Sequence, residues 1–109
     1  MDQPRTTESI RLELHNELVK VTNNCYYSPI ESFRMSYPCI VYKDAEITDY
    51  YADNVVYITY RSYIVTVISK NPVETANLHD EIRNRFKYSK TQTTYVMDNL
   101  YHKVIYIEF

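Results

Sequence analysis

The chain has 109 residues and contains no glycine, where average usage would give about 8. Without glycine there can be no Walker loop, dinucleotide fingerprint, EF-hand turn or nucleophile elbow, because each of these is built on that residue. A net charge of −2 argues against a general nucleic-acid binder, which would turn a basic face to phosphates. Hydrophobic residues make up 45% of the chain, enough for one core, so we predict a single domain over residues 1–109.

Targeting and redox signals are also absent from the sequence. No apolar run approaches the ~18 residues of a membrane span, and the first residues lack the charged-then-apolar plan of a secretion signal. Cys25 and Cys39 form no paired metal or redox motif. We therefore expect a soluble protein that is made in a cytoplasm, keeps its thiols reduced and does not bind a membrane.

The first predicted element is an amphipathic helix over residues 7–23. Thr7 is the predicted N-cap, and Glu8 lies in the first turn, where the helix dipole favours a negative charge. Helical spacing places four apolar residues on one face: Ile10, Leu14, Leu18 and Val21. Asn23 and Asn24 are predicted to end this helix in place of a glycine.

The middle of the chain predicts strands separated by a long loop. Residues 25–36 show no clear period and are predicted as a connector, which leads into a short strand at residues 39–42. The acidic stretch of residues 44–54 is predicted as a loop with an aromatic centre. β-Branched and aromatic residues then predict two strands, at 55–59 and 61–68.

A second helix is predicted to begin at Asn71. Asn71 serves as the N-cap and Pro72 occupies the first helical position, where its missing N–H is not needed. Its apolar stripe consists of Leu78, Ile82 and Phe86. Basic residues suit a helix C-terminus, so the helix is predicted to end near residues 87–90.

Two final strands, at residues 93–97 and 100–109, are predicted to form a hairpin. Asn and Asp tolerate left-handed backbone better than most residues do. In the absence of glycine, three pairs are therefore predicted to make the reversals: Asn23-Asn24, Asp53-Asn54 and Asp98-Asn99. The order of elements predicts an α+β domain with two helices packed on one face of a mostly antiparallel β-sheet.

Residues that could carry chemistry do not form recognisable motifs. The three histidines lie on three different predicted elements, at no metal-ligand spacing: His15, His79 and His102. Four carboxylates could in principle collect a hard cation, but the sharp-turn glycine and the terminal bidentate glutamate of a calcium loop are missing: Asp44, Glu46, Asp49 and Asp53. No local grouping predicts a nucleophilic triad, although Cys25 or Cys39 with a distant histidine stays open. We predict no enzyme, no metal site and no cofactor.

Tyrosine is the unusual enrichment, with 13 residues against 3 Phe and no Trp. A tyrosine combines a large apolar ring with a polar tip, which suits surfaces that are wet in one state and buried in another. Long β-branched strands with few charged residues would also expose edges that invite pairing with another chain. Both features favour a subunit of an assembly. The alternative to an assembly subunit is an RNA-binding protein, in which tyrosines on the strands stack on the bases of single-stranded RNA.

Four segments together resemble the small tail-terminator, or tail-to-head joining, proteins of long-tailed bacteriophages. Their order and spacing carry the resemblance: residues 37–42 (YPCIVY), 51–54 (YADN), 61–68 (RSYIVTVI) followed by Asn71-Pro72, and 97–102 (MDNLYH). The resemblance covers residues 37–109, about two thirds of the chain. It implies a protein that is not an enzyme.

The resemblance also implies what the protein would assemble with. Proteins of that family form closed rings, typically hexamers, that cap the tail tube and present the surface that joins the filled head. We therefore expect a structural virion protein at the head-tail interface, assembled in the host cytoplasm. Its expected partners are further copies of itself, the tail tube protein and the head connector or stopper protein. The alternatives are a head-closure or neck adaptor protein of the same assembly and, in a different class, a small single-stranded RNA-binding α+β domain.

On this resemblance, the residues that contact partners are expected in two loops. The acidic loop supplies Tyr50, Tyr51 and Asp53, and the last hairpin supplies Asp98, Asn99 and Tyr101. Each loop would face a neighbouring subunit, the tube or the head connector.

Overall fold

A computed structural model describes residues 6–29 and 34–109 of the chain. Its elements in chain order are α1 (Thr7–Val19), β1 (Cys25–Tyr27), β2 (Cys39–Ala52), β3 (Val55–Ser69), α2 (Pro72–Arg85), β4 (Ser89–Met97) and β5 (Leu100–Glu108). The strands form one sheet in the order β1-β2-β3-β5-β4. β1 pairs with β2 in parallel, and the other three pairings are antiparallel. The predicted α+β class is confirmed.

The core lies between the two helices and one face of the sheet. Leu14 and Leu18 of α1 and Ile82 and Phe86 of α2 belong to the same buried cluster. The sheet contributes Ile40, Tyr42, Tyr63, Val65, Val67, Ile105 and Ile107 to it. Because side chains two apart on a strand point to the same face, these positions line one side of the sheet. Both helices therefore cover the same side, as predicted.

The limits of α1 differ from those predicted. Thr6, not Thr7, is the N-cap: its hydroxyl accepts from the Ser9 N–H at 3.0 Å, and the Ser9 hydroxyl lies 2.9 Å from the Thr6 N–H. This reciprocal capping box needs a polar residue three positions after the cap, and Thr7 would have placed the apolar Ile10 there. The helix ends at Val19, so the prediction that the asparagines at 23 and 24 end it was wrong.

The start of α2 follows the prediction closely. The Asn71 side chain accepts from the N–H groups of Val73 and Glu74 at 2.8 and 3.3 Å, and Pro72 opens the helix. The helix ends at Arg85, slightly before the predicted residues 87–90. Phe86 leaves the helix in an extended conformation, and its ring is buried in the core.

Several strands are longer than predicted, because the length of a strand depends on the partner with which it pairs. β1 lies inside the stretch predicted as a connector, where it pairs with β2. The prediction of a loop over residues 44–54 was wrong, since β2 continues to Ala52 and pairs with β3 throughout. The two strands predicted at 55–59 and 61–68 are the single strand β3, and β4 begins at Ser89 instead of residue 93.

Two of the three predicted glycine-free reversals are confirmed. Asp53 and Asn54 have φ values of 53° and 66°, and Asp98 and Asn99 have φ values of 54° and 63°. Positive φ at both central residues is what the two-residue type I′ hairpin turn requires. The pair at 23 and 24 instead precedes β1, and the Asn24 amide donates to the Pro38 carbonyl at 3.1 Å.

Candidate interaction surfaces

The β2–β3 hairpin extends past the rest of the sheet as a two-stranded arm, residues 47–61. β3 pairs with β5 only from Ser62 onward, and β1 pairs with β2 only up to Tyr42. Among the described residues, the strands of the arm pair only with each other, except at the base, where the Phe109 N–H donates to the Arg61 carbonyl at 3.0 Å. At a rise of about 3.3 Å per residue, the stretch from Glu46 to Asp53 spans about 23 Å. The arm explains why the radius of gyration is 15.4 Å, when a compact chain of this length has about 13 Å.

Apolar side chains of the arm are open to solvent. The most exposed are Ile47 at 55%, Tyr51 at 66%, Val55 at 66% and Tyr60 at 45% of their full accessible surface. Neither α1 nor α2 covers the arm, since both lie over the rest of the sheet. The arm thus presents solvent-exposed hydrophobic side chains.

The arm is also acidic. Residues 47–60 of the arm contain Asp49 and Asp53 and no lysine or arginine, and Asp44 and Glu46 precede them on β2; Arg61, at the base, is the one cation in the arm's sequence. The Asp49 carboxylate accepts from the Thr59 hydroxyl at 2.8 Å, and Asp44 accepts from Tyr27. None of the ion pairs found in the described part of the chain involves these four side chains.

The six predicted contact residues fall into two groups at opposite ends of the molecule. Tyr51 and Asp53 lie exposed at the tip of the arm, on a strand and a turn instead of in a loop. Tyr50 pairs with β3 nearby, and its side chain lies outside the described part of the structure.

The second group lies at the far end of the sheet. Asp98 and Asn99 form the exposed turn of the β4–β5 hairpin, and Tyr101 is half-buried beside it. Tyr101 pairs with Ser69, which is the last residue of β3. Since β3 runs from the tip of the arm to this end, the two groups are about 46 Å apart, and the structure does not bring them together.

A basic segment runs from the last turn of α2 into β4, and the prediction from sequence used its lysines only to place the end of that helix. Residues 83–97 include four cations and no carboxylate: Arg83, Arg85, Lys87 and Lys90. We call residues 83–90 the basic segment. Arg85 pairs weakly with Glu17 and Glu81, at 3.8 and 3.7 Å. Lys87 and Lys90 lie over the rings of Tyr88 and Tyr106 instead of pairing with a carboxylate. A count of charges along the sequence would have revealed this segment.

A groove of about 1190 Å³ separates the base of the arm from the basic segment. Aromatic rings line much of it, contributed by Tyr60, Phe86, Tyr88, Tyr106 and Phe109. Arg61 also lines the groove, and its Nε is buried without a hydrogen-bond partner in the described structure. The groove is therefore lined by both aromatic and charged side chains.

The face of the sheet opposite the helices carries an aromatic pair. The rings of Tyr95 and His102 stack with their centroids 4.5 Å apart and an interplanar angle of 9°. His102 is buried, and its Nδ1 lies 3.0 Å from the Leu100 carbonyl. Tyr95 remains 40% exposed. This is the side of the sheet on which base stacking would be possible.

Cys25 and His15 come close in the structure, but their surroundings favour a structural role. Cys25 Sγ lies 3.9 Å from His15 Nδ1, and the same nitrogen lies 2.7 Å from the Tyr42 hydroxyl. Burial raises the pKa of the Cys25 thiol to about 12 and that of Cys39 to about 11. A nucleophilic cysteine needs a lowered pKa, so neither thiol is prepared for attack. Tyr42 also accepts from Arg11 at 3.2 Å, which ties α1 to β2.

A second polar cluster has the connectivity of a nucleophilic triad, which sequence spacing did not reveal. His79 lies 2.9 Å from the Asp80 carboxylate and, through Nε2, 2.6 Å from the Thr91 hydroxyl. However, the Arg83 guanidinium also donates to Thr91 at 2.8 Å, and Thr91 is not part of the wall of the groove. With its polar groups hydrogen-bonded to one another, the cluster fastens α2 to β4.

Neither a cluster of metal-ligating side chains nor a membrane-spanning helix is found within residues 6–29 and 34–109. No three His, Cys, Asp or Glu side chains there come together as a metal site. No helix there is long and apolar enough to span a membrane. Comparison of the sequence with protein-family models and with curated proteins gives no match.

Proposed function

We propose that this protein is a structural subunit of a tailed-bacteriophage virion. Its copies form a ring, a hexamer by family resemblance, that caps the tail tube and joins the tail to the head connector or stopper protein. The observation that carries the proposal is the projecting arm, which offers an exposed apolar and acidic surface to a partner.

The low stability of an isolated hairpin favours a partner for the arm. A two-stranded hairpin by itself is marginally stable in water, and the arm receives no support from a third strand among the described residues. Unpaired strand edges with exposed apolar side chains invite pairing with other chains. An arm of this kind is best explained if it is covered in an assembly.

The separation of the two contact groups fits a joining role. A subunit between the tail tube and the head has to make contacts at both of its ends. The tip of the arm and the Asp98-Asn99 turn lie at opposite ends of a molecule 51 Å long. The same arrangement would serve a head-closure or neck adaptor protein, which remains the first alternative.

The arm can be tested by removing its apolar contacts while keeping its fold. We expect the double variant Tyr51→Ala/Val55→Ala to lose ring formation and the capping of tail tubes, measured by native mass spectrometry and negative-stain imaging with tube subunits. Both side chains are exposed, so the thermal transition should stay nearly unchanged. A suitable control is Val73→Ala, because Val73 is a comparably exposed residue on α2. A wild-type chain that remains monomeric and binds neither tube nor connector would refute the proposed function.

Single-stranded RNA binding is the second candidate function, favoured by the Tyr95 and His102 stack. Retention on a nucleic-acid column at low salt, lost as salt increases and reduced by Tyr95→Ala, would support it. No retention at low salt would eliminate it.

A further inference from the structure

We infer that the arm of one copy adds as a strand to the outer edge of β4 in a second copy, with its carboxylates against the basic segment of that copy. The inference rests on the proposed function in one respect, namely that copies of the chain associate. In this contact one copy contributes its arm and the other contributes the outer edge of its β4.

Unpaired strand edges are available on both surfaces. β4 is the last strand of the sheet, so among the described strands only β5 pairs with it. It is nine residues long, it contains no proline, and Lys90 is its only charged residue. Charged side chains and prolines are the usual protection of an edge strand, so β4 is open to strand addition. The arm has two such edges, since β2 and β3 pair only with each other there.

The charges of the two surfaces are complementary. The arm has Asp49 and Asp53 toward its tip, both exposed and without an ion pair in the described structure. The basic segment has Lys87 and Lys90, which are exposed and likewise make no ion pair there. Within one molecule the tip carboxylate Asp53 lies about 23 Å along the arm from Glu46, which lines the groove together with Lys87. A second copy can bring Asp53 and Lys87 together.

Both β4 and the arm also expose apolar side chains that could pack against each other. β4 exposes Val96 at 61% and Met97 at 53%, and Tyr88 at the start of the strand is 63% exposed. Tyr51 and Val55 of the arm are similarly exposed. Strand addition combines main-chain hydrogen bonds with side-chain contacts of this sort, so both components of such an interface are present.

A contact between two different surfaces has a direct consequence for assembly. Each copy offers one arm and one β4 edge, so a copy can bind one neighbour with each. Such a head-to-tail contact closes into a ring when its rotation divides a full turn. An arm-to-arm contact would instead stop at a dimer.

Cross-linking of full-length protein tests which surfaces meet. One variant is Ala52→Cys, at an exposed position beside the tip of the arm, and the other is Gln92→Cys, at an exposed position of β4. With a short bis-maleimide, we expect covalent dimers in the mixture of the two variants and none in either variant alone. The double variant should give a ladder that ends at the ring. Wild-type protein is the background control, because Cys39 is buried and Cys25 is half-buried.

Three results would distinguish a failure of the arm-to-β4 contact from a failure of ring formation. Dimers of the Ala52→Cys variant alone would mean that arms meet arms and would overturn the inference. An oligomer in native mass spectrometry without any mixed cross-link would overturn it too, while leaving the ring. A chain that stays monomeric at every concentration would remove both.

Charge reversal gives an independent measurement. We expect Lys87→Glu/Lys90→Glu to weaken self-association roughly tenfold or more. The control Lys20→Glu/Lys70→Glu produces the same net charge at exposed positions outside the interface and should have roughly a twofold effect or less. Equal weakening by the two variants would show that net charge, and not this contact, determines association.

Discussion

The two Asp-Asn turns allow the same substitution to be compared at the tip of the arm and within the sheet. Asn54 and Asn99 both occupy the second position of a two-residue turn, with φ of 66° and 63°. Alanine tolerates left-handed backbone poorly, at a cost of about 1–2 kcal/mol. Asn99→Ala and Asn54→Ala therefore place the same local strain at two different sites.

The structure predicts different consequences for the two variants. The turn at Asn99 joins β4 to β5, and β5 pairs with β3 and contributes Ile105 and Ile107 to the core. Loss of that turn is coupled to unfolding of the domain, so Asn99→Ala should lower the free energy of unfolding by about 1–2 kcal/mol. The turn at Asn54 lies at the end of the arm, outside the core. Its strain can be relieved by local opening of the arm, with a global change of at most about 0.5 kcal/mol.

Urea denaturation and hydrogen exchange together measure the difference. Asn99→Ala should shift the urea midpoint and lower the melting temperature by about 4 °C or more. Asn54→Ala should leave both nearly unchanged while the amides of the arm exchange faster. Two protein concentrations are needed, because self-association makes stability depend on concentration. An equal shift of the midpoint in both variants would refute the reasoning, since it would mean that the arm unfolds together with the core.

Two further predictions concern the core and the buried thiols. Ile105→Ala should lower the free energy of unfolding by about 2–5 kcal/mol, because Ile105 is fully buried. Ile47→Ala on the exposed arm should change it by about 0.5 kcal/mol or less, and urea denaturation measures both variants. Burial raises the pKa of Cys25 to about 12 and that of Cys39 to about 11, above the ordinary thiol value of about 8.5. The two buried, neutral thiols therefore contribute fully to the stability of the fold below about pH 8.5, and this contribution is lost as the pH rises toward their pKa values. We expect wild-type stability to fall between pH 8 and pH 10.5 more steeply than that of Cys25→Ala/Cys39→Ala, and parallel profiles would contradict this.

Features encoded within a few residues were predictable. The Asn71 cap with Pro72 after it and the Asp98-Asn99 turn all depend on side chains close in sequence to the backbone groups they serve. The α1 cap was misplaced by one residue because two threonines are adjacent there. The polar Ser9, three positions after Thr6, was the signal that distinguishes them.

The arm was mistaken for a loop although one local signal for it was present. Asp53-Asn54 is the same dipeptide as the one correctly placed in the last hairpin. The carboxylates before it suggested a solvated loop, and on an exposed arm carboxylates are equally acceptable. Only the long pairing of β2 with β3 reveals that these residues form a strand.

The amino-acid sequence was enough to predict an α+β domain with glycine-free turns, because caps, turns and hydrophobic spacing act over short distances. The tertiary structure decided where the strands end, that the arm projects beyond the sheet, and that the two predicted contact groups lie at opposite ends. These properties depend on which strands pair and over what length. Strand pairing is specified jointly by both partners and by the core they bury, so neither segment reveals it alone.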